Sequence, residues 1–216
     1  MLKLSASILS ADFLNLGEDI ARMEQGGCDV LHIDITDGHF VPNLTMGICV
    51  VEAACKITGM RKDVHLMISR PQDFIKKFSD AGGDLIMFHH EATAHPFEMI
   101  KYIRECGKLV GVALDPGTRV SSIAHYLHAV DAVLVVAVCV GFGGQGYIEE
   151  MDAKIQELVQ LRREKGLGFE IQVDGGLTQN NARQKHAIGV DTLVAGSMFF
   201  QSPDVKALVG QIKGSI

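Results

Sequence analysis

The run Val30-Leu31-His32-Ile33-Asp34-Ile35-Thr36-Asp37-Gly38 alternates apolar and polar side chains before ending in a turn-forming Asp-Gly pair. Residues two apart on a β-strand share a face, so His32 and Asp34 project together while Leu31, Ile33 and Ile35 go to the other side. Burying both polar groups without a cation between them is expensive. Asp63-Val64-His65 and Val173-Asp174 repeat the theme, each beside an apolar run that reads as a strand. A closed barrel brings such strand ends to one centre; a doubly wound open sheet, its main rival, does not.

The rest of the chain fits the barrel. Strands are expected at 4–9, 30–35, 63–68, 85–89, 109–114, 132–138, 169–173 and 192–195, with helices starting near Asp12, Gly47, Pro71, Pro96, Val120, Glu149, Thr178 and Pro203. Pro71 and Pro203 suit a first helical turn, Thr178 or Asn180 a cap, and Gly82, Gly83, Gly107 and Gly189 suit helix stops. Eight strand-then-helix units in 216 residues, about 27 each, define an α/β fold, a (β/α)8 TIM barrel forming a single domain over residues 1–216.

With 47% hydrophobic residues the chain can bury a large core, and a net charge of −6 with a pI near 5.8 argues against nucleic acid as a partner. No apolar run approaches the ~20 residues that span a bilayer, and the N-terminus lacks the apolar region of a signal peptide, so no membrane association and a cytoplasmic location are expected. Five scattered cysteines without a Cys-x-x-Cys pair read as reduced thiols, most of them core fillers.

Chemistry in such barrels lies at the C-terminal strand ends. There the sequence sets Ser7 at the rim, His32 and Asp34 inward, and Asp37-Gly38 as a tight turn. His65 and Met67 stand near the mouth, with Asp63 deeper and needing a partner of its own. His89 and Glu91 either brace the ligands from behind or form a surface cluster. The last three loops are glycine-rich: Gly141-Phe142-Gly143-Gly144-Gln145-Gly146, Gly175-Gly176 and Gly196-Ser197. Glycine lets backbone N–H groups approach an anion, so these loops suit a phosphate, and the six-residue one suits a lid. The combination is a phosphorylated small molecule whose other end meets a divalent ion. Such an ion can polarise a carbonyl and stabilise the enediolate formed by proton loss next to it. Asp34 and Asp174, from well-separated strands, are the candidate acid–base pair that inverts the carbon between them.

Ser7-Ile8-Leu9-Ser10-Ala11-Asp12, His32-Ile33-Asp34-x-x-Asp37-Gly38-His39-Phe40-Val41-Pro42-Asn43, His65-Leu66-Met67, Pro116-Gly117-Thr118, Gly141-Phe142-Gly143-Gly144-Gln145 and Val173-Asp174-Gly175-Gly176 occur in this order. As a set they resemble the ribulose-phosphate 3-epimerase family over nearly the whole chain. The resemblance implies a ribulose-phosphate-binding TIM barrel that interconverts D-ribulose 5-phosphate and D-xylulose 5-phosphate in the pentose phosphate pathway. It also implies one divalent metal ion (zinc, iron, manganese or cobalt) on His32, Asp34, His65 and Asp174. Substrate would meet Ser7, His65, Met67 and Asp174, its phosphate lying against Gly141, Phe142, Gly143, Gly144, Gly175, Gly176, Gly196 and Ser197. A homo-oligomer, dimer or hexamer, is implied too; Phe13, Leu14 and Leu16 are candidates for a subunit contact, but core packing is the default for such an apolar stripe.

The chain departs from that pattern near the site. The family usually has methionine where Thr36 and Val136 stand, proline where Ala6 stands, a polar residue and proline where Cys139-Val140 stands, and a larger residue at Gly146. Three other readings are therefore kept: the same chemistry on D-allulose 6-phosphate, a barrel decarboxylase or aldolase, and a non-catalytic phosphosugar sensor. A Schiff-base aldolase needs a lysine at a strand end, and none of the eight supplies one. The presence of both aspartates speaks against a sensor.

Overall fold

In the computed structural model, which describes residues 1–214, eight parallel strands close into a barrel in sequence order. They are β1 (Lys3–Ser7), β2 (Val30–Thr36), β3 (Arg61–Met67), β4 (Leu85–His89), β5 (Leu109–Leu114), β6 (Ala132–Val136), β7 (Glu170–Asp174) and β8 (Thr192–Ala195). The helices are α1 (Leu16–Gln25), α2 (Ile48–Ile57), α3 (Ile75–Asp80), α4 (Pro96–Glu105), α5 (Met151–Glu164), α6 (Gln179–Ala187), α7 (Ser197–Phe200) and α8 (Val205–Lys213). Period-two alternation divides the apolar residues between two cores. Leu31, Ile33 and Ile35 of β2 pack outward under the helices, whereas Leu85, Met87, Ala113, Leu134, Val136 and Val194 fill one side of the barrel interior.

The floor of the barrel is ionic. Arg61 grips Asp63 with two bonds of 2.7 Å, and Glu170 receives Lys3 at 2.7 Å and Arg61 at 3.1 Å. Gln172 donates to both carboxylates at 3.0 Å. Two cations thus balance two anions. Asp63 has the partner of its own that its depth requires, which leaves it out of the ligand cluster above.

An aspartate just before each even strand caps the preceding odd one. The carboxylates of Asp29, Asp84, Asp131 and Asp191 accept the backbone N–H of Leu4, Lys62, Val110 and Ile171, at 2.7–2.8 Å. The N–H of each aspartate donates back to the carbonyl of the same residue at 2.8–2.9 Å. Strand starts that would otherwise leave backbone groups unpaired are closed off, four times around the barrel.

Several expectations need correction. No α-helix follows β5; the chain makes two 3-10 turns, Val120–Ser122 and Leu127–Ala129. Its buried residues are Val120, Ile123, Tyr126, Leu127 and Val130, a spacing of three or four that does not by itself separate 3-10 turns from an α-helix. β1 ends at Ser7, and Ile8–Ser10 is a 3-10 turn. Helix α1 begins at Leu16, because the Asp12 carboxylate is used in the loop by Leu14 N–H and the Asn15 amide. Pro203 lies outside α8, whose cap is Asp204, whereas Thr178 caps α6 with a reciprocal bond to Asn181. Of the cysteines only Cys28 is buried; all five are free thiols. Phe13 and Leu14 precede α1 and are exposed rather than packed in the core. No helix among the described residues is long and apolar enough to cross a membrane.

Candidate active site

Strand register levels the polar side chains at one end of the barrel. Ser7 pairs with His32 across β1 and β2, Asp34 with His65 across β2 and β3, and Val136 with Asp174 across β6 and β7. His32 Nε2, His65 Nδ1 and Asp34 Oδ1 form a triangle with sides of 3.0, 3.2 and 3.3 Å. Asp174 completes a cluster whose four ligand atoms lie within 4.8 Å of one another. A tetrahedral ion with bonds of ~2.0–2.1 Å has ligand–ligand edges of ~3.3–3.4 Å, so the triangle, whose sides are also hydrogen-bond distances, is close to the size that one cation needs. The donor set, two imidazoles and two carboxylates, fits a divalent transition metal without choosing among zinc, iron, manganese and cobalt.

The charge pattern inside the cluster is unequal. Burial opposes the charge on Asp34, but His32 and His65 more than offset it and hold the carboxyl far below the usual range. Burial, and then the charge of Asp34, raises Asp174 well above it. Burial would depress His32, yet the Asp34 carboxylate beside it prevails and carries it up to about 9. His65 is lowered to about 4, chiefly by burial. Ser7 donates its hydroxyl to Asp34 Oδ2 at 2.6 Å, leaving Oδ1 toward the imidazoles.

Above the cluster opens a cavity of ≈ 280 Å³, room for one small molecule. Ser7, Asp34, His65, Met67, Asp174 and every glycine-loop residue singled out in the sequence line it: Gly141, Phe142, Gly143, Gly144, Gly175, Gly176, Gly196 and Ser197. His32 is fully buried beneath. The lining includes no lysine or arginine, so an anion there depends on backbone N–H groups and hydroxyls. Val136 lines the cavity beside Met67, but Thr36 turns away: its N–H and hydroxyl meet Thr45 Oγ1 at 3.1 and 3.3 Å.

The glycine loop after β6 is pinned at both ends. A Cβ on Gly141 would stand 2.8 Å from Val41, and one on Gly176 only 2.2 Å from the Tyr147 nitrogen; both have positive φ. Beyond the loop, Tyr147 donates its hydroxyl to Asp152, whose carboxylate also receives the fully buried Lys185 at 2.7 Å. Gln145 closes the loop on itself through the carbonyls of Cys139 and Phe142, each at 2.7 Å.

Some supporting residues escaped sequence reasoning. Thr45 donates to the Asp34 carbonyl at 2.6 Å, and Asn43 to that of Gly141 at 2.7 Å. Both lie on the loop after β2, where no periodicity marks a side chain as inward. Asp37 accepts His39, Phe40 and Ser69 N–H groups at 2.7–2.9 Å, which makes it a turn and loop anchor. His89 is fully buried, so it does not belong to a surface cluster; its nitrogens face His65 on one side and Asp115 and Glu91 on the other.

A model of the ribulose-phosphate 3 epimerase family matches residues 3–200. The ribulose-phosphate 3-epimerase of Bacillus subtilis is 43% identical over 216 residues, the full length of both chains. The chloroplastic ribulose-5-phosphate-3-epimerase of Arabidopsis thaliana is 43% identical over 98% of this chain and 76% of its own. Among solved structures, KGPDC from Streptococcus mutans superposes with a TM-score of 0.75 at 17% identity, covering 99% of this chain and 98% of that one. The 3-hexulose-6-phosphate synthase of Salmonella typhimurium gives 0.73 at 15% identity, covering 99% and 97%. These two similarities concern the fold alone.

Proposed function

The chain belongs to the ribulose-phosphate 3 epimerase family, and from that premise we propose that it is a metal-dependent 3-epimerase interconverting D-ribulose 5-phosphate and D-xylulose 5-phosphate. The carrying observation is the pair Asp34 and Asp174, which come from β2 and β7 and are pushed apart in proton affinity. In the metal-free protein one carboxyl is held low and the other raised, and two unlike carboxyls at one centre suit an acid–base pair.

Inverting a carbon next to a carbonyl takes two groups on opposite faces. One aspartate withdraws the C3 proton, the other delivers a proton to the far side of the planar enediolate, and the roles exchange in the reverse direction. Ser7 orients Asp34 so that the carboxylate cannot rotate away. A divalent ion held by His32, Asp34, His65 and Asp174 would supply Lewis acidity toward the neighbouring carbonyl oxygen. Met67 presents an apolar side chain over the reacting carbon and keeps water off it. The glycine loops after β6, β7 and β8 receive the phosphate through backbone N–H groups.

D-allulose 6-phosphate is the second reading, supported by Val136, a small side chain on the cavity wall where the resemblance leads one to expect methionine. Exposed Phe13 and Leu14 support association between copies of the chain, and five free thiols support a reducing, cytoplasmic setting. The test supplies the metal-loaded protein with each ketose phosphate. Conversion of ribulose 5-phosphate, abolished by chelator and restored by added divalent metal, upholds the reading. Turnover of the hexulose phosphate alone moves the substrate to the second one.

A further inference from the structure

We propose that His89 is a positioning residue for the metal centre, carrying the hold of Asp115 and Glu91 through to the ligand His65. The proposal rests on the metal-centre reading above and goes beyond it.

His65 turns Nδ1 toward His32 and Asp34 and Nε2 toward His89, whose own Nε2 is 2.8 Å away. The rings lie 18° from parallel with centroids 4.9 Å apart. That separation is close to a 2.8 Å nitrogen contact plus two ring radii, so the imidazoles meet edge to edge. A hydrogen bond between two imidazole nitrogens needs one N–H and one lone pair. If the Nδ1 lone pair of His65 is given to a cation, its proton sits on Nε2 and is donated to His89 Nε2. The proton of His89 then has to be on Nδ1. That atom lies at ion-pair distance from both carboxylates, 2.8 Å from Asp115 Oδ1 and 3.4 Å from Glu91 Oε2, without hydrogen-bond geometry to either. One ligand bond thus fixes every proton along the chain of contacts.

The far end is anchored. Glu91 Oε1 accepts the Asp115 N–H at 3.0 Å, and Lys154 donates to the carbonyls of Asp115 and Pro116 at 2.6 and 3.0 Å. Phe40 packs on the His89 ring at 4.9 Å. His32 lacks such a brace: its Nδ1 is buried with no hydrogen-bond partner among the described residues. His65 is therefore the ligand whose orientation and basicity are set from behind.

His89, Glu91 and Asp115 could themselves hold a cation by spacing. A metal on His89 Nδ1 would take the lone pair there and force the proton onto Nε2. It would then face the Nε2 proton of a metal-bound His65 across 2.8 Å. The two sites exclude each other, and the proton chain is the arrangement compatible with the four-residue centre.

The metal-free protein and its His89→Phe, His89→Gln and Asp115→Ala variants are titrated with Co(II) against a chromophoric chelator, with far-UV circular dichroism to confirm folding. Wild type is expected to bind one ion per chain. His89→Phe loses affinity by about 10–100-fold and changes the Co(II) absorption bands. His89→Gln, whose amide both accepts from His65 and donates to Asp115, recovers most of both. Asp115→Ala, at a partly exposed loop position, shifts them in the same direction by less and carries the test if His89→Phe does not fold. Wild-type affinity and spectrum in either His89→Phe or Asp115→Ala would overturn the proposal. So would a second ion in wild type that Asp115→Ala removes. A wild-type protein that binds no ion would instead overturn the metal centre on which it rests.

Discussion

The side-chain amide of Asn43 donates to the carbonyl of Gly141 over 2.7 Å, tying the loop after β2 to the first residue of the glycine loop after β6. Val41, two residues earlier, fills the space beneath Gly141. The strand that carries His32 and Asp34 is thereby coupled to the glycine loop that lines the cavity.

Asn43→Ala should loosen the glycine loop without disturbing the barrel. A hydrogen bond of this kind is worth about 1 kcal/mol net, so kcat/KM is expected to fall about fivefold, with the thermal midpoint nearly unchanged. Steady-state kinetics beside a melting curve checks both. A large drop in the midpoint would mean that Asn43 serves the fold and not the loop.

Asp174→Asn keeps the shape of the side chain but removes the proton carrier and anionic ligand that the proposed mechanism places there. Turnover is expected to fall by at least about 10²–10⁴-fold, while circular dichroism and melting show a folded barrel. Near-normal activity in this variant would take Asp174 out of the chemistry.

Metal binding should strengthen as pH rises. In the metal-free protein His32 is raised to about 9 and Asp174 is raised as well, and each must lose its proton to become a ligand. The stability linkage has the opposite sign. The folded pKa of His32 lies above its ordinary value, so its ion pair stabilises the metal-free fold fully below about pH 6.5 and is lost as pH rises through about 9. Apparent affinity is expected to climb between these values, with proton release visible as buffer-dependent heats in calorimetry. Affinity independent of pH would contradict the ligand assignment of His32.

The strand-start aspartates offer a control remote from the chemistry. Asp131 accepts Val110 N–H at 2.7 Å and pairs with Arg104 at 2.7 Å on the barrel floor side. Asp131→Ala is expected to cost about 1.5–3 kcal/mol of stability, read by denaturant unfolding, and to leave kcat/KM unchanged.

Sequence reading reached the barrel because its signal is repeated and local: alternation in β2 and β3 puts His32, Asp34 and His65 on one face whatever the helices do. It failed between β5 and β6, where an apolar spacing of three or four carries too little periodicity to separate 3-10 turns from an α-helix. The four clustered side chains were legible because strand parity and barrel closure leave them little freedom. The bond from Ser7 to Asp34, the Thr45 and Asn43 anchors and the edge-to-edge meeting of His65 with His89 depend on loop paths and rotamers, which no period encodes. The paired carboxylates of the floor were half visible: Asp63 demanded a partner, and Arg61 stands two residues before it on the same strand face, but Glu170 and Gln172 join them only when β3 and β7 face each other across the barrel.

The most direct measurement follows the C3 hydrogen of ribulose 5-phosphate during turnover in deuterated water with the metal-loaded protein. On the proposed placement of Asp34 and Asp174 on opposite faces of the substrate, xylulose 5-phosphate should form carrying deuterium from solvent at C3, and neither Asp34→Asn nor Asp174→Asn should complete the inversion. Product that retains the original hydrogen at C3, or a pentulose phosphate left unexchanged by a fully loaded protein, would contradict proton transfer between these two aspartates.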